Sequence, residues 1–481
     1  MRSSSQTLLQ PHTIMTVSRR SFVKSAAATT AAISFPTIIP RHVLGGANFV
    51  APSEKVNVGI VGVGGQGRHN TKQLLPLEDV QITAIADPAE YWDLNAFYYK
   101  AIAGRGPVKD IIEDHYREKT PNYKIGEYID FREMLEKESS LDAILCATPD
   151  HTHAFIAANA MRAGKHVYVE KPMAHNLWEN RKLAEIAKET GVATQMGNMG
   201  HSSEGIRQTV ELLRAGSIGK VTQSHSWCHA TRWTNGLSGL PLGTTTPPVD
   251  FNWDLWLGPQ TEIPYHKEYT PVTWRDFWRF GCGAIGDFAC HDMDATVWAY
   301  DLKEPETVQI YPVGQSNEEI APYGEIGYFD FKAKGKQKAM KINWYAGSAR
   351  PDHHESFPDN FQLSKRGLLF EGSKGTIQCD GAGGSPRIFP QEFRRDLKRP
   401  KKTIRRVGGH HRDWIDAIKG GPAASSNFEY ASRLTEIALL GVLSVRMGGA
   451  KIKWDAKNMK AIGLPEADEF IREPVRPGWE I

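Results

Sequence analysis

Near-continuous apolar runs alternate with helix-length stretches from Val56 to about residue 172. V-N-V-G-I-V (56–61), Q-I-T-A-I-A (81–86), L-D-A-I-L-C-A-T-P (141–149) and H-V-Y-V-E-K-P (166–172) carry apolar residues on both faces. That is the pattern of parallel strands buried on both sides. Between them, D-F-R-E-M-L-E-K (130–137) and the stretch from Ala154 to Ala163 read as helices. Tyr91 to Ala103 is expected to be helical as well, followed by a Gly/Pro-marked segment to about Lys124. The helix Asn176 to Thr190, with Leu183, Ile186 and Ala187 on one face, leads into V-A-T-Q-M-G-N (192–198). After about 216 strand-like segments dominate: 221–229, 307–312, 324–333, 339–345 and 375–380. Helices follow at Asp413 to Lys419 and Glu429 to Arg446. The expected fold class is α/β: a doubly wound sheet over 54–172, then an α+β unit over 173–481 with a mostly antiparallel sheet.

The first strand runs directly into G-x-G-x-x-G, at Gly62, Gly64 and Gly67, and Asp87 closes the next apolar run. Strand before, helix after and acid at this distance form the dinucleotide fingerprint of a Rossmann domain. Gly62 permits the tight turn, Gly64 lets the backbone approach the pyrophosphate, and Gly67 lets helix pack on strand. Gly65 and Gln66 open the helix whose free N–H groups face the phosphates. Asp87 is expected to receive the ribose 2′-OH and to repel a 2′-phosphate. Pro88 and Ala89 supply no arginine for such a phosphate, so NAD is favoured over NADP.

Upstream, Ser18-Arg19-Arg20-Ser21-Phe22-Val23-Lys24 matches the twin-arginine export pattern, followed by an alanine-rich stretch and the small residues Gly45-Gly46-Ala47. Residues 1–47 are therefore expected to be a targeting segment, outside the fold and too weakly apolar for a stable membrane span. A periplasmic or otherwise exported address follows, with the twin-arginine machinery as partner. Because that route carries folded proteins, the dinucleotide is expected to leave the cytoplasm tightly bound.

The balance of 58 basic against 55 acidic residues, a net charge of +3, gives no reason to expect nucleic acid. The five cysteines (Cys146, Cys228, Cys282, Cys290 and Cys379) form no C-x-x-C and indicate neither a zinc ribbon nor a disulfide framework. The basic run over 393–406 reads as a solvated loop, with a site for an acidic saccharide as the alternative. The histidines, including the pairs His151/His153, His225/His229 and His410/His411, lack ligand-like spacing, and no metal is expected.

Two further motifs carry chemistry. Glu170-Lys171-Pro172 ends the last apolar run, at the sheet edge where ligands of open parallel sheets bind. G-C-G-A-I-G-D-F-A-C-H-D-M-D (281–294) sets Asp287 and His291 four apart, one above the other on a helix. With A-T-P-D-H-T-H (147–153), Q-M-G-N-M-G-H (195–201), W-D-L-W-L-G-P (253–259) and R-P-G-W (476–479), the chain resembles the glucose–fructose oxidoreductase / inositol dehydrogenase / MocA family, in its exported branch. The resemblance runs over essentially all of the chain after the targeting segment. It implies Lys171 as the catalytic lysine on the reacting hydroxyl, and His291 as general acid/base with Asp287 as its partner or relay. It also implies Thr148, Pro149 and His153 lining the cofactor, with Glu170 beside the nicotinamide ribose. The chemistry agrees: hydride transfer from a carbinol needs the hydroxyl proton removed, which suits a histidine titrating near neutrality and a lysine facing the alkoxide.

Six tryptophans, Trp227, Trp233, Trp253, Trp256, Trp274 and Trp278, fall shortly before the His291 motif. They read equally as a saccharide platform or as interface filling, with Trp274 and Arg275 the pair expected to approach substrate. The functional expectation is an NAD-dependent oxidoreductase acting on a sugar, polyol or glycoside hydroxyl. Two alternatives stand beside it: a redox-neutral glycosidase working by transient oxidation of the sugar, and a non-catalytic sugar-binding protein. The resemblance further implies a homo-oligomer, a dimer or tetramer, formed through the second sheet.

Overall fold

Six parallel strands, β1 Val56–Val61, β2 Val80–Ala86, β3 Gly126–Tyr128, β4 Ala143–Cys146, β5 His166–Val169 and β6 Thr194–Met196, form the first sheet in the order β3-β2-β1-β4-β5-β6. This is a computed structural model describing residues 50–481 except 334, 336 and 399. The expected targeting segment lies outside the described residues. Helices cover both faces. On one, α1 Gly65–Leu74 and α2 Arg105–Arg117 bury Leu74, Val108 and Ile112 against Val58, Ile60 and Leu145. On the other, α3 Phe131–Lys137, α4 Asp150–Arg162 and α5 Leu177–Thr190 bury Met134, Ile156 and Leu183 against Ile144 and Val167. Burial on both faces is what the continuous apolar runs require.

Two expectations need correction. The boundary at 172 falls too early, because Val167–Val169 pair in parallel with Thr194–Met196 and the nucleotide sheet ends there. The segment Tyr91 to Ala103 is not a helix. Trp92–Asp93 pair with Ile102–Ala103 in a short antiparallel hairpin, and the helix begins only at Arg105. Gly104, at φ 101°, turns the chain into it. Pro107 is tolerated there because first-turn N–H groups have no intrahelical partner.

The second sheet has nine strands. β7 Val221–Trp227, β8 Thr307–Val313, β9 Gly324–Phe331, β10 Met340–Tyr345, β11 Gly367–Gly372, β12 Gly375–Asp380, β13 Gly384–Phe389, β14 Ile452–Asp455 and β15 Lys460–Ala461 are arranged β13-β12-β11-β7-β10-β9-β8-β14-β15. Every pair is antiparallel except β10 with β7. The strands alternate inward and outward: Val308, Ile310, Phe329, Ile342, Trp344 and Phe370 are buried. The helix Phe428–Arg446 packs with them and with Leu183 and Ile186 of α5 in one continuous core. The basic run is not a free loop at its end. Arg406 donates to Glu204 and Glu211 at 2.6–3.1 Å, and Arg405 pairs with the buried Asp413, clamping the segment to two helices.

Candidate active site

The fingerprint glycines do the work their spacing implies. Gly62 has φ +82°, and a Cβ on Gly67 would lie 1.9 Å from the Gly62 carbonyl oxygen, so only glycine lets α1 meet β1. Above Gly64 there is open space, leaving the start of α1 accessible. The cleft beside it is lined by Gly62, Gly64, Gly65, Gln66 and Asp87 from the β1 side, and by Thr148, Pro149, Glu170 and Lys171 from the β4 and β5 ends. It straddles the switch between β1 and β4, where the strand order reverses. Asp87 receives the N–H of Val63 at 2.7 Å and of Ala89 at 2.8 Å. Burial raises its carboxyl to about 6 against the pull of these donors, so it is ionised at neutral pH. Arg105, the cation next to it, is committed to Glu90 at 2.9 Å, Glu127 at 3.4 Å and the Asp87 carbonyl, leaving no free guanidinium for a 2′-phosphate.

Gly67 and His153 stand apart from the lining. Gly67 acts through packing, as expected. His153 does not reach the cleft: it is buried on α4, with Nε2 2.8 Å from the Thr148 carbonyl and Nδ1 2.8 Å from the Pro172 carbonyl. It ties the two cofactor loops together instead of touching cofactor. Glu170 is held by Asn70 at 2.8 Å and Gln66 at 3.3 Å, which couples the start of α1 to the β5 end.

A second cavity, of about 750 Å³, opens next to the cleft and shares Gln66, Tyr98, Glu170, Lys171 and Arg275 with it. Asp287, His291, Arg366 and Trp233 complete much of its wall. Asp287 and His291 do lie on one helix, Gly283–Asp292. The Lys171 ammonium pairs with Asp287 Oδ1 and donates to the Asp287 carbonyl at 3.2 Å. On the other carboxylate oxygen, Arg275 Nε stands at 3.8 Å. Burial works against both ions, yet mutual attraction holds the Asp287 carboxyl below its ordinary range and Lys171 above its own. The expected Asp287–His291 partnership is therefore replaced: among the described residues Asp287 hydrogen-bonds Lys171, not the imidazole. His291 also departs from the expected neutral titration. Burial first, then the Lys171 and Arg366 charges, push it well below the usual histidine range, so the ring is held neutral.

Of the six tryptophans, Trp227 and Trp278 are core residues. Trp253 and Trp256 stack on each other at 5.0 Å on the short helix Trp253–Leu257, and Trp256 also reaches the cleft. Trp274 lines the cleft with the Arg275 guanidinium 4.2 Å above its ring. Trp233 lines the larger cavity and stacks on Tyr98 at 5.6 Å. Tyr98, Tyr99 and Arg366 were not singled out by any motif. Tyr98 and Tyr99 sit in the segment expected to be helical, and Arg366 immediately precedes β11 without a distinctive pattern. Arg366 Nε donates to both oxygens of the buried Asp292, at 3.0 and 2.7 Å.

Residues 56–198 match an oxidoreductase family with an NAD-binding Rossmann fold, and residues 206–337 match the C-terminal alpha/beta domain of the same family. The chain belongs to the Gfo/Idh/MocA family. Among its relatives, glycosyl hydrolase family 109 protein 1 of Shewanella sp. (strain ANA-3) is 28% identical over 231 residues, 45% of this chain and 47% of that protein. An alpha-N-acetylgalactosaminidase of Shewanella oneidensis is 27% identical over the same length and shares. The chain thus spans about half the length of the curated relatives it matches. The fold is shared with the WlbA dehydrogenase from Bordetella pertussis, solved with NADH and UDP-GlcNAcA (TM-score 0.56, 16% identity, 83% of this chain and 99% of that one). It is shared too with GenD2 from gentamicin A biosynthesis, solved with NAD (TM-score 0.54, 17% identity, 87% and 100%). The NAD-binding domain of this family corresponds to β1–β6, which supply most of the lining of the cleft described above, the rest coming from residues 255–275 and Trp479.

Proposed function

We propose that this enzyme uses tightly held NAD to oxidise or reduce a hydroxyl-bearing carbon of a sugar, polyol or glycoside. The observation that carries this is the wall common to the two cavities: Lys171 and Arg275 face both. NAD, when bound, accepts or returns the hydride. Gly62, Gly64, Gly65 and Gln66 would hold its pyrophosphate and Asp87 its ribose, with Thr148, Pro149 and Glu170 toward the nicotinamide half. In the larger cavity, neutral His291 takes the hydroxyl proton. Lys171 spends two of its three N–H donors on Asp287 and keeps one for the oxygen as charge develops there. Asp287 positions Lys171 and Arg275, and Trp233 stands on the wall of the cavity that receives the sugar, whereas Trp274, expected beside the substrate, lines the cleft instead.

A redox-neutral reading is favoured by the glycosidase relatives. In that reading the sugar would give its hydride to bound NAD and recover it within one turnover; in between, the oxidised sugar would expel its aglycone by elimination and water would add in its place. Export supports it, because net oxidation outside the cytoplasm needs an external acceptor. Ser18–Lys24 supports the periplasmic address. The open face of the second sheet supports a homo-oligomer: Tyr311, Val313 and Ile326, adjacent across β8 and β9, are 48%, 46% and 39% exposed.

The test is to purify the protein without added cofactor, denature it, quantify NAD(H) and NADP(H), and screen sugars and aryl glycosides without added NAD. Stoichiometric NAD with aglycone release selects the redox-neutral reading. NAD reduction without bond cleavage selects net oxidation. A protein that neither contains nor binds dinucleotide overturns both.

A further inference from the structure

The R-P-G-W motif at 476–479 takes no part in the chemistry above, yet it is firmly placed. Residues 472–481 carry no regular secondary structure and are held at two points. Glu473 accepts from His175 Nδ1 at 2.8 Å and pairs with Arg446. Arg476 donates to the side chain and carbonyl of Asp254 and to the Gly258 carbonyl, at 2.5–2.6 Å, and its own N–H donates to Pro259 at 3.0 Å. Between exposed Gly478 and Glu480, Trp479 is only 7% exposed. Its ring meets Phe155 at 4.7 Å and the Arg132 guanidinium at 4.8 Å.

Those neighbours locate it. Arg132 opens the helix after β3, and Phe155 lies in the first turns of the helix after β4. Both are at the carboxyl edge of the sheet, where ligands bind. Trp479 lines the same cleft as Gly62 and Asp87, together with Ile129, Phe131 and Ile156. Lys171 marks the nicotinamide end of that cleft and Asp87 the other ribose. Trp479 touches residues that follow β3 and residues that follow β4, the two strands that flank β2 and β1 in the sheet order, and so stands across the cleft from Asp87.

We propose that Trp479, held in place by Arg476, is part of the dinucleotide site and forms an apolar aromatic wall for its adenine. The inference rests on reading the cleft as an NAD site. An indole and three apolar side chains suit a purine ring, which gains contact along its faces without needing a hydrogen bond to the base.

The test is equilibrium binding of NADH, ADP-ribose and reduced nicotinamide mononucleotide to the full-length protein freed of endogenous cofactor. Trp479→Ala should weaken NADH and ADP-ribose about tenfold, the scale of losing one base–aromatic contact. The mononucleotide should stay within about twofold, well inside the tenfold that 1.4 kcal/mol represents, and Trp479→Phe should restore most of the loss. Arg476→Ala removes every side-chain bond that ties the segment to Asp254 and Gly258, and should shift the same two ligands in the same direction by less. If Trp479→Ala does not fold, Arg476→Ala decides, and unchanged affinity there overturns the proposal. Wild-type constants in a folded Trp479→Ala protein overturn it as well, as does an equal loss for all three ligands. A wild-type protein that binds none of them overturns the dinucleotide reading itself.

Discussion

Lys171→Met removes the ammonium and keeps most of the stem, so it separates charge from packing. Two of the three donors are aimed at Asp287, leaving one for substrate. Deleting a single preorganised donor to a developing oxyanion costs roughly 3–4 kcal/mol, or 10²–10³ in kcat. A Coulomb estimate agrees in scale: unit charges about 4 Å apart at an effective dielectric near 20 interact by ~4 kcal/mol. The side chains of Lys171 and Asp287 are only 16% and 22% exposed, so solvent screens the interaction weakly. We expect kcat to fall about 10²–10³-fold with KM changed far less, because the interaction belongs to the transition state. Folding should survive, since Asp287 keeps Arg275 at 3.8 Å. A second signature follows from electrostatics. The Lys171 charge is one of the forces, after burial, holding His291 down. Without it the imidazole titrates higher, and the acid limb of the pH–rate profile moves to higher pH. The assay is single-turnover hydride transfer followed by nicotinamide absorbance across pH. A kcat within about threefold of wild type, about 0.65 kcal/mol, with an unmoved acid limb refutes the role given to Lys171.

Other consequences are as direct. His291→Gln should lower kcat about 10²–10⁴-fold, the range for a general base, while NAD binding stays intact; steady-state kinetics with titrated cofactor checks both. Gly67→Ala drives a methyl to 1.9 Å from the Gly62 oxygen, so the purified variant should carry no dinucleotide; full occupancy would contradict the packing argument. Glu473→Gln tests a pH linkage. Burial lowers His175, but Glu473 outweighs it and raises the ring to about 9. A raised histidine stabilises fully below about 6.5 and loses that contribution as pH climbs through 9, roughly 3 kcal/mol in all. The variant's deficit in urea unfolding should therefore be largest near pH 6 and narrow toward alkaline pH; parallel curves would rule the linkage out. Ile326→Arg, on the open sheet face, should give a monomer by light scattering; an unchanged mass excludes that face as the interface.

What could be read before folding was whatever local geometry dictates. The glycine fingerprint works through turn conformation and helix–strand contact, both set within a dozen residues, so its spacing announced the cleft and its acid. Helical phase put Asp287 and His291 on one face, but phase says nothing of distant partners. Only folding shows that the carboxylate turns to Lys171, 116 residues away, and leaves the imidazole neutral. His153 illustrates the opposite failure: its motif suggested cofactor, while its position on α4 turns it to two carbonyls. Tyr91 to Ala103 misled for a simpler reason. Its aromatics have a helix-like density because they line a cleft, and the true helix starts behind Gly104. Arg366 and Trp479 enter the site from remote strands and loops, which no local pattern can announce.

All five thiols are sealed in the interior and unpaired. Burial raises Cys146, Cys290 and Cys379 to about 12, and Cys228 and Cys282 well above the ordinary thiol value. At neutral pH a thiol near 12 is ionised in about one molecule in a hundred thousand, and the thiolate is the reactive form. Oxidants, disulfide exchange and thiophilic metals thus find almost nothing to attack. The five cysteines therefore stay thiols in reducing and oxidising surroundings alike, and a change of redox environment asks nothing of them.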